Sequence, residues 1–247
     1  MNENTMLAGT LSNKQKALGY ILLFPSNLYY IPIIIQFFLI WYSTAISSIG
    51  LSVMVVYLNF FTGIISLIMT FVFFKTFLLA NIKAMRETII EDTIWSCTIG
   101  FGIVYALAIV SRIMVMALLA IFGQKQLDSS NQQLVVQLLT DMPLIMALQT
   151  VIIAPILEEI LYRGLLFRTF YDYHKNGAHI ISAFLFGFAH IYSGLFRGDL
   201  TQIIHIIPYM IMGLAFSYAY EKRGNLYVPI LMHMLVNLIA TLGALLL

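Results

Sequence analysis

From Ala17 to Phe74 the chain contains no Asp, Glu, Lys, Arg or His, and the same apolar texture returns in five further blocks. As one helix the first stretch would be roughly 87 Å long at about 1.5 Å per residue, nearly three times a hydrocarbon core of about 30 Å. It must therefore fold back at least once. The pattern predicts seven spans, at 17–46, 51–74, 93–122, 142–171, 177–195, 202–220 and 226–246, with an eighth as the alternative. Pro25 and Pro32 predict a kink in the first span, and Ser47-Ser48-Ile49-Gly50 predicts a tight turn after it. Residues 124–133 and 197–199 are polar and predict loops. The expected fold class is all-α, a polytopic transmembrane helical bundle. Residues 1–16 are expected as a cytoplasmic N-terminal tail, 17–125 as N-terminal transmembrane helices and 140–247 as a helical core continuous with them.

Composition turns this expectation into membrane insertion. Hydrophobic residues make up 61% of the chain and charged residues 10%, against about 45–50% and about 25% in soluble domains. A net charge of +2 without any basic run excludes a nucleic-acid partner. Lys14 and Lys16 precede an apolar run far longer than the roughly 7–15 residues of a cleavable signal, so that run reads as a retained span. With the N-terminus inside, ten Lys and Arg fall on one side of the membrane and only Lys125 and Arg197 on the other. Cytoplasmic loops favour these residues, which predicts a cell-membrane protein with its N-terminus in the cytoplasm and its C-terminus outside. Arg112, inside the third span, reads as a snorkelling or loop-facing cation. A single cysteine, Cys97, rules out an intrachain disulfide or a cysteine zinc cluster, and is expected to pack as a small apolar residue.

Ionisable groups inside a bilayer cost about 2.5–3.5 kcal/mol each on insertion scales and mark function by default. Three clusters stand out: Ala154-Pro155-Ile156-Leu157-Glu158-Glu159 with Arg163-Gly164, Phe186-Gly187-Phe188-Ala189-His190, and His233 with Asn237. Residues four apart share a helical face and adjacent residues do not. Glu159 and Arg163 should therefore pair, leaving Glu158 free to meet another helix. His233 shares a face with Asn237, and Phe186 with His190. Measured from the cytoplasmic helix ends, Glu158, His190, Asn237 and His233 come out at depths of roughly 22, 20, 17 and 11 Å. That agreement predicts one site within the bilayer, open towards the cytoplasm. There Glu158 and His190 could activate a water, while His233 and the Asn237 amide donate to an oxyanion.

These three motifs, in this order, resemble the signature of the CPBP family of CAAX-protease and bacteriocin-processing proteins, also called Abi intramembrane proteases. Ala154-Pro155, Gly164 and Gly224-Asn225-Leu226-Tyr227-Val228-Pro229 agree with it as well, and the resemblance covers about residues 140–240. It implies an intramembrane glutamate protease in which Glu158 and His190 activate water and His233 and Asn237 stabilise the oxyanion, with Glu159, Arg163 and Phe186 in support. Tyr162 stands where many members have Phe. The first three spans carry no such resemblance.

Each cluster also has a bland reading. The Glu pair with Arg163 could be a helix-end ion pair, His190 a helix–helix contact and Asn237 interhelical glue; together and in order they favour catalysis. His174, His179 and His205 read as solvent-side bystanders. Two His and two Glu could ligate zinc. The lack of a His-Glu-x-x-His helix and the nearby Arg163 favour a metal-independent, cofactor-free site, with zinc left open. The expected partners are a peptide or protein substrate and the lipid bilayer. The leading function is an endopeptidase maturing or degrading a bacteriocin, a signalling peptide or a CAAX-like tail. The alternatives are a non-proteolytic immunity or peptide-binding protein and, third, a transporter, against which the lack of an inverted repeat counts.

Overall fold

The computed structural model describes residues 7–23, 51–125 and 127–246. Every regular element among them is helical: α1 (Asn13–Leu18), α2 (Leu51–Trp95), α3 (Phe101–Ile121), α4 (Ser130–Asp141), α5 (Pro143–Tyr171), α6 (Lys175–Phe196), α7 (Gln202–Arg223) and α8 (Tyr227–Leu246). Pro25, Pro32, the turn at 47–50 and most of the predicted first span lie outside the described residues. Five stretches are long and apolar enough to cross a membrane, the first being the 69 residues Val53–Ile121. At about 1.5 Å per residue that stretch exceeds one crossing severalfold, and it contains both the second and third predicted spans. The protein is a polytopic helical membrane bundle.

The sequence pattern marks where α2 breaks. Its backbone leaves helical geometry at Phe74 (φ −107°, ψ 17°), where the charge-free run ends. The following residues, which fall between the second and third predicted spans and carry Lys75, Lys83, Arg86, Glu87, Glu91 and Asp92, are helical as well, and they cross one end of the bundle. Phe77 is fully buried there, Asn81 accepts from the Leu226 amide at 3.0 Å, and Asp92 takes the Arg223 guanidinium and the Asn225 amide. A π turn, Ser96–Gly100, then redirects the chain into α3. Cys97 in that turn is exposed rather than packed, because the π turn aims it away from the core.

The N-terminal residues dock on this same basic end. The Arg168 guanidinium donates to the carbonyls of Leu7, Ala8 and Gly9, and the Ala8 amide donates to the Gly224 carbonyl. Gly224 adopts φ 78°, the left-handed conformation that ends α7 and that glycine takes without strain. At the opposite end, Ser129 caps α4 by accepting from the Gln132 amide, so the polar loop expected at 124–133 becomes helix at Ser130. Val56 packs there with Leu138, Leu139 and Met146. Arg112 turns to this end and donates to the Leu127 carbonyl and Asp128.

Candidate active site

Helix α5 carries the glutamate pair, and it is not a uniform α-helix. Two π segments, Gln149–Ile153 and Ile160–Phe167, flank the α-helical Ala154–Glu159. Such wide turns concentrate at functional sites. Glu159 and Arg163 still meet as the spacing predicts, Arg163 Nη1 donating to Glu159 Oε1 at 2.8 Å with both side chains fully buried. Arg163 Nη2 donates to the Gly213 carbonyl at 2.9 Å. That contact is possible because α7 lies against α6 at Gly213, where a Cβ would sit 2.9 Å from the Ala183 backbone. The rings of Phe186 and Phe216 cover the guanidinium at 4.8 and 5.3 Å, a favourable use of its charge in a dry site.

His233 joins this network from α8. Its Nδ1 lies 2.9 Å from Glu159 Oε1, so one carboxylate oxygen serves both Arg163 and His233. Because a carboxylate accepts, Nδ1 carries the proton and Nε2 points onward. His190 is arranged the same way, its Nδ1 donating to the Phe186 carbonyl at 2.8 Å. Both Nε2 atoms face Glu158, whose Oε2 lies 3.9 Å from His190 and 4.0 Å from His233. That oxygen is enclosed and has no hydrogen-bond partner among the described residues. The adjacent glutamates therefore stand in different surroundings, Glu159 sealed in an ion network and Glu158 on a cavity. Asn237, the last predicted residue, lines the same cavity and donates through Nδ2 to the Thr150 carbonyl at 2.8 Å. The structure thus brings Glu158, His190, His233 and Asn237 to one cavity of about 490 Å³, with Glu159, Arg163 and Phe186 behind them.

Four further residues were not legible in the sequence. Tyr209 stacks on His190 at 4.3 Å between ring centres and shares a 2.8 Å hydrogen bond with Ser129. Gln149 lines the cavity with a buried, unpartnered Oε1, and Asn59 and Thr62 of α2 form the facing wall. Polar residues in an apolar span were the available signal for the wall. Tyr209 had none, since tyrosine is abundant throughout the chain.

Two expectations need correction. The cavity does not open towards the basic end. It is lined by Met146 to Tyr162 of α5, Phe186 to Ser193 of α6, Tyr209 and Met212 of α7, and His233 to Thr241 of α8. These are the halves of four alternating helices that lie away from the basic turns at 172–174 and 224–226. Towards those turns Tyr162, Arg163, Leu165, Phe167 and Phe216 are buried and close the bundle. The histidines set aside as bystanders are also engaged. His205 is buried because the first turn of α7 is pulled in by Gln202, which accepts from the Ser130 amide at 3.1 Å. His179 bridges Ser217 at 2.7 Å and Glu221 at 2.9 Å, and His174 caps α6 by accepting from the Gly177 amide.

Among the described residues no group of three or more His, Cys, Asp and Glu side chains is arranged to hold a metal ion, and Arg163 already supplies the cation beside Glu159.

Comparison with known proteins agrees with the three motifs. Residues 140–239 match the family described as type II CAAX prenyl endopeptidase Rce1-like. The chain is 29% identical over 113 residues to a candidate membrane peptidase of Bacillus subtilis, YdiL, covering 44% of this chain and 41% of that one. It is 26% identical over 189 residues to the membrane-embedded CAAX protease MroQ of Staphylococcus aureus, 70% of each chain. It is also 25% identical over 197 residues to the UPF0177 protein YvdC of Lactococcus lactis, 77% of this chain and 70% of that one. The match to the Bacillus protein thus spans less than half of that relative's length. No solved structure matches. The segment 140–239, which holds every predicted site residue, is thus similar to CAAX-protease-like membrane proteins.

Proposed function

We propose that the protein is an intramembrane endopeptidase that hydrolyses a peptide bond with a water activated by Glu158. One observation carries this reading: an enclosed carboxylate oxygen faces two imidazole nitrogens at 3.9 and 4.0 Å across a cavity. Those separations are too long for direct hydrogen bonds and are the span that one bridging water, about 2.8 Å from each atom, would take up once a small shift admits it to the enclosed oxygen. Glu158 takes a proton from that water while His190 Nε2 accepts a hydrogen bond from its remaining O–H, and the oxygen attacks the substrate carbonyl carbon. The carbonyl π electrons move to oxygen. The second N–H of the Asn237 amide and the His233 imidazolium, which keeps one proton on Nδ1 against Glu159 and a second on Nε2, donate to that oxyanion. Collapse of the tetrahedral intermediate expels the amine, which takes the proton from Glu158.

The remaining groups hold this arrangement. Glu159 orients the His233 ring through Nδ1, and Arg163 holds Glu159 in place. The basic end, with nine of the thirteen Lys and Arg, faces the cytoplasm, and the substrate is a small peptide or a membrane-proximal segment. Comparing peptides from cells carrying wild type and Glu158→Gln by mass spectrometry tests the reading. A fragment made only by wild type supports proteolysis. Identical peptide profiles, with protection or signalling intact in the variant, would favour a non-proteolytic binding or immunity role.

A further inference from the structure

We infer that the substrate reaches Glu158 from the outer face of the membrane, as an extended polypeptide segment outside the cytoplasm. The inference rests on the proteolytic reading of the site and adds a direction to it. Three observations carry it, none of which involves the catalytic groups alone.

Cavity position is the first. In α5 the lining residues lie on the N-terminal side of Arg163, in α6 they begin at Phe186, in α7 they end at Met212 and in α8 they begin at His233. The four helices alternate in direction, so these stretches occupy one half of the bundle. That half is bounded by α4 and the turn at 197–201, where Asn131 and Gln132 line the cavity. In the other half Arg163 and the rings around it are buried, and the cavity found there, between Leu78, Ile82, Ile160 and Ile230, is lined by none of the four site residues.

Charge is the second. The closed half ends in the surface that carries Lys75, Lys83, Arg86, Arg168, Lys222 and Arg223, whereas the cavity half ends near Lys125 and Arg197. By the bias that keeps Lys and Arg in the cytoplasm, the cavity faces outward.

The chemistry of the walls is the third. Asn59 and Thr62 on α2 and Thr150 and Asn237 on α5 and α8 all line the cavity; their hydrogen bonds to main-chain carbonyls leave the side-chain oxygens as acceptors. Amide and hydroxyl groups on two facing walls suit an unpaired peptide backbone, whose N–H and C=O groups must be met wherever water is excluded. A lipid chain has no use for them. The site is therefore fitted for an exported peptide or an outer juxtamembrane stretch, and not for a tail presented in the cytoplasm.

Cysteine labelling decides the direction without relying on activity. In a Cys97→Ser background, Gln132→Cys and Thr62→Cys report on the cavity and Arg86→Cys on the basic end. A membrane-impermeant maleimide added to intact cells should label the first two, and Arg86→Cys only after permeabilisation. The reverse pattern would overturn the inference and leave the proteolytic reading standing. Introducing Glu158→Gln should leave the labelling pattern unchanged. If labelling is as expected but Glu158→Gln leaves the cellular peptide profile unaltered, outward access stands and proteolysis fails. A fragment made only by wild type and cut within a cytoplasmic tail would overturn the direction alone.

Discussion

The Asn237 amide donates to the backbone carbonyl of Thr150 at 2.8 Å, and that carbonyl is available because residue 155 is proline. In the first π segment of α5 the Ala154 amide bonds to the Gln149 carbonyl, five residues back. The next rung would run from residue 155 to Thr150, and proline has no N–H to give. A residue that reads as a helix-start preference in the sequence thus creates the acceptor that orients Asn237. Asn237→Ala should orphan that carbonyl, costing about 1–3 kcal/mol, and lose most cleavage. Adding Pro155→Ala restores a backbone donor. Thermal unfolding in detergent should then recover at least half of the loss, while cleavage stays low. A double variant no more stable than Asn237→Ala would remove this account of Pro155.

Adjacent glutamates should give opposite signatures. Glu158 lines the cavity and its Oε2 has no hydrogen-bond partner among the described residues, so Glu158→Gln should alter the melting temperature little and reduce cleavage about 10²–10⁴-fold. Glu159 Oε1 holds both Arg163 and His233. Glu159→Gln leaves a buried guanidinium uncompensated and should cost about 3–5 kcal/mol. Arg163→Lys should also be strongly destabilising, because a lysine cannot reach Glu159 and the Gly213 carbonyl together or replace the planar face against Phe186. Circular-dichroism melts of the purified variants, paired with the peptide assay, separate the two classes.

Helical spacing was enough to separate Glu158 from Glu159 and to pair Glu159 with Arg163, because those relations are local and survive the π segments. That Glu158, His190, His233 and Asn237 stand at one level of the bundle was legible for the same reason. The direction of the site was not. Depth along a helix does not say which half of the bundle is hollow, and that depends on whether Tyr162, Phe167 and Phe216 pack closed. The helix after Phe74 was hidden because charges in a membrane protein read as loop, although here they ride on a surface helix. Thr150 was invisible as a site group because its contribution is a main-chain carbonyl.

Tyr209 should act on His190 by position. Its ring stacks on the imidazole at 4.3 Å, a contact of about 0.5–1.5 kcal/mol, and its hydroxyl is tied to Ser129. Tyr209→Phe keeps the ring and loses the tie, so kcat should fall a few-fold with KM little changed; Tyr209→Ala should cost about tenfold or more. Ser129→Ala should lower kcat as Tyr209→Phe does, with an added loss of stability from the α4 cap, and combining the two should lower kcat no further, since both remove the same Ser129–Tyr209 bond. Full additivity in that cycle would show that the hydroxyl acts elsewhere.

Asp92 tests the far end of the molecule, about which the three motifs say nothing. Its carboxylate is fully buried and receives Arg223 Nε at 2.6 Å, Asn225 Nδ2 at 2.8 Å and the Thr88 hydroxyl at 2.5 Å. Those bonds clamp the surface part of α2 to the turn from which α8, and with it His233, begins. Asp92→Ala leaves Arg223, whose side chain is 17% exposed, without its main partner. It should cost about 3 kcal/mol or more. If the clamp sets the register of α8, trypsin should cut first near Lys83 and Arg86 in this variant, and cleavage of substrate should decline even at temperatures where the bundle stays folded. Protease resistance equal to wild type would mean that the surface helix is held by Phe77 and Asn81 alone.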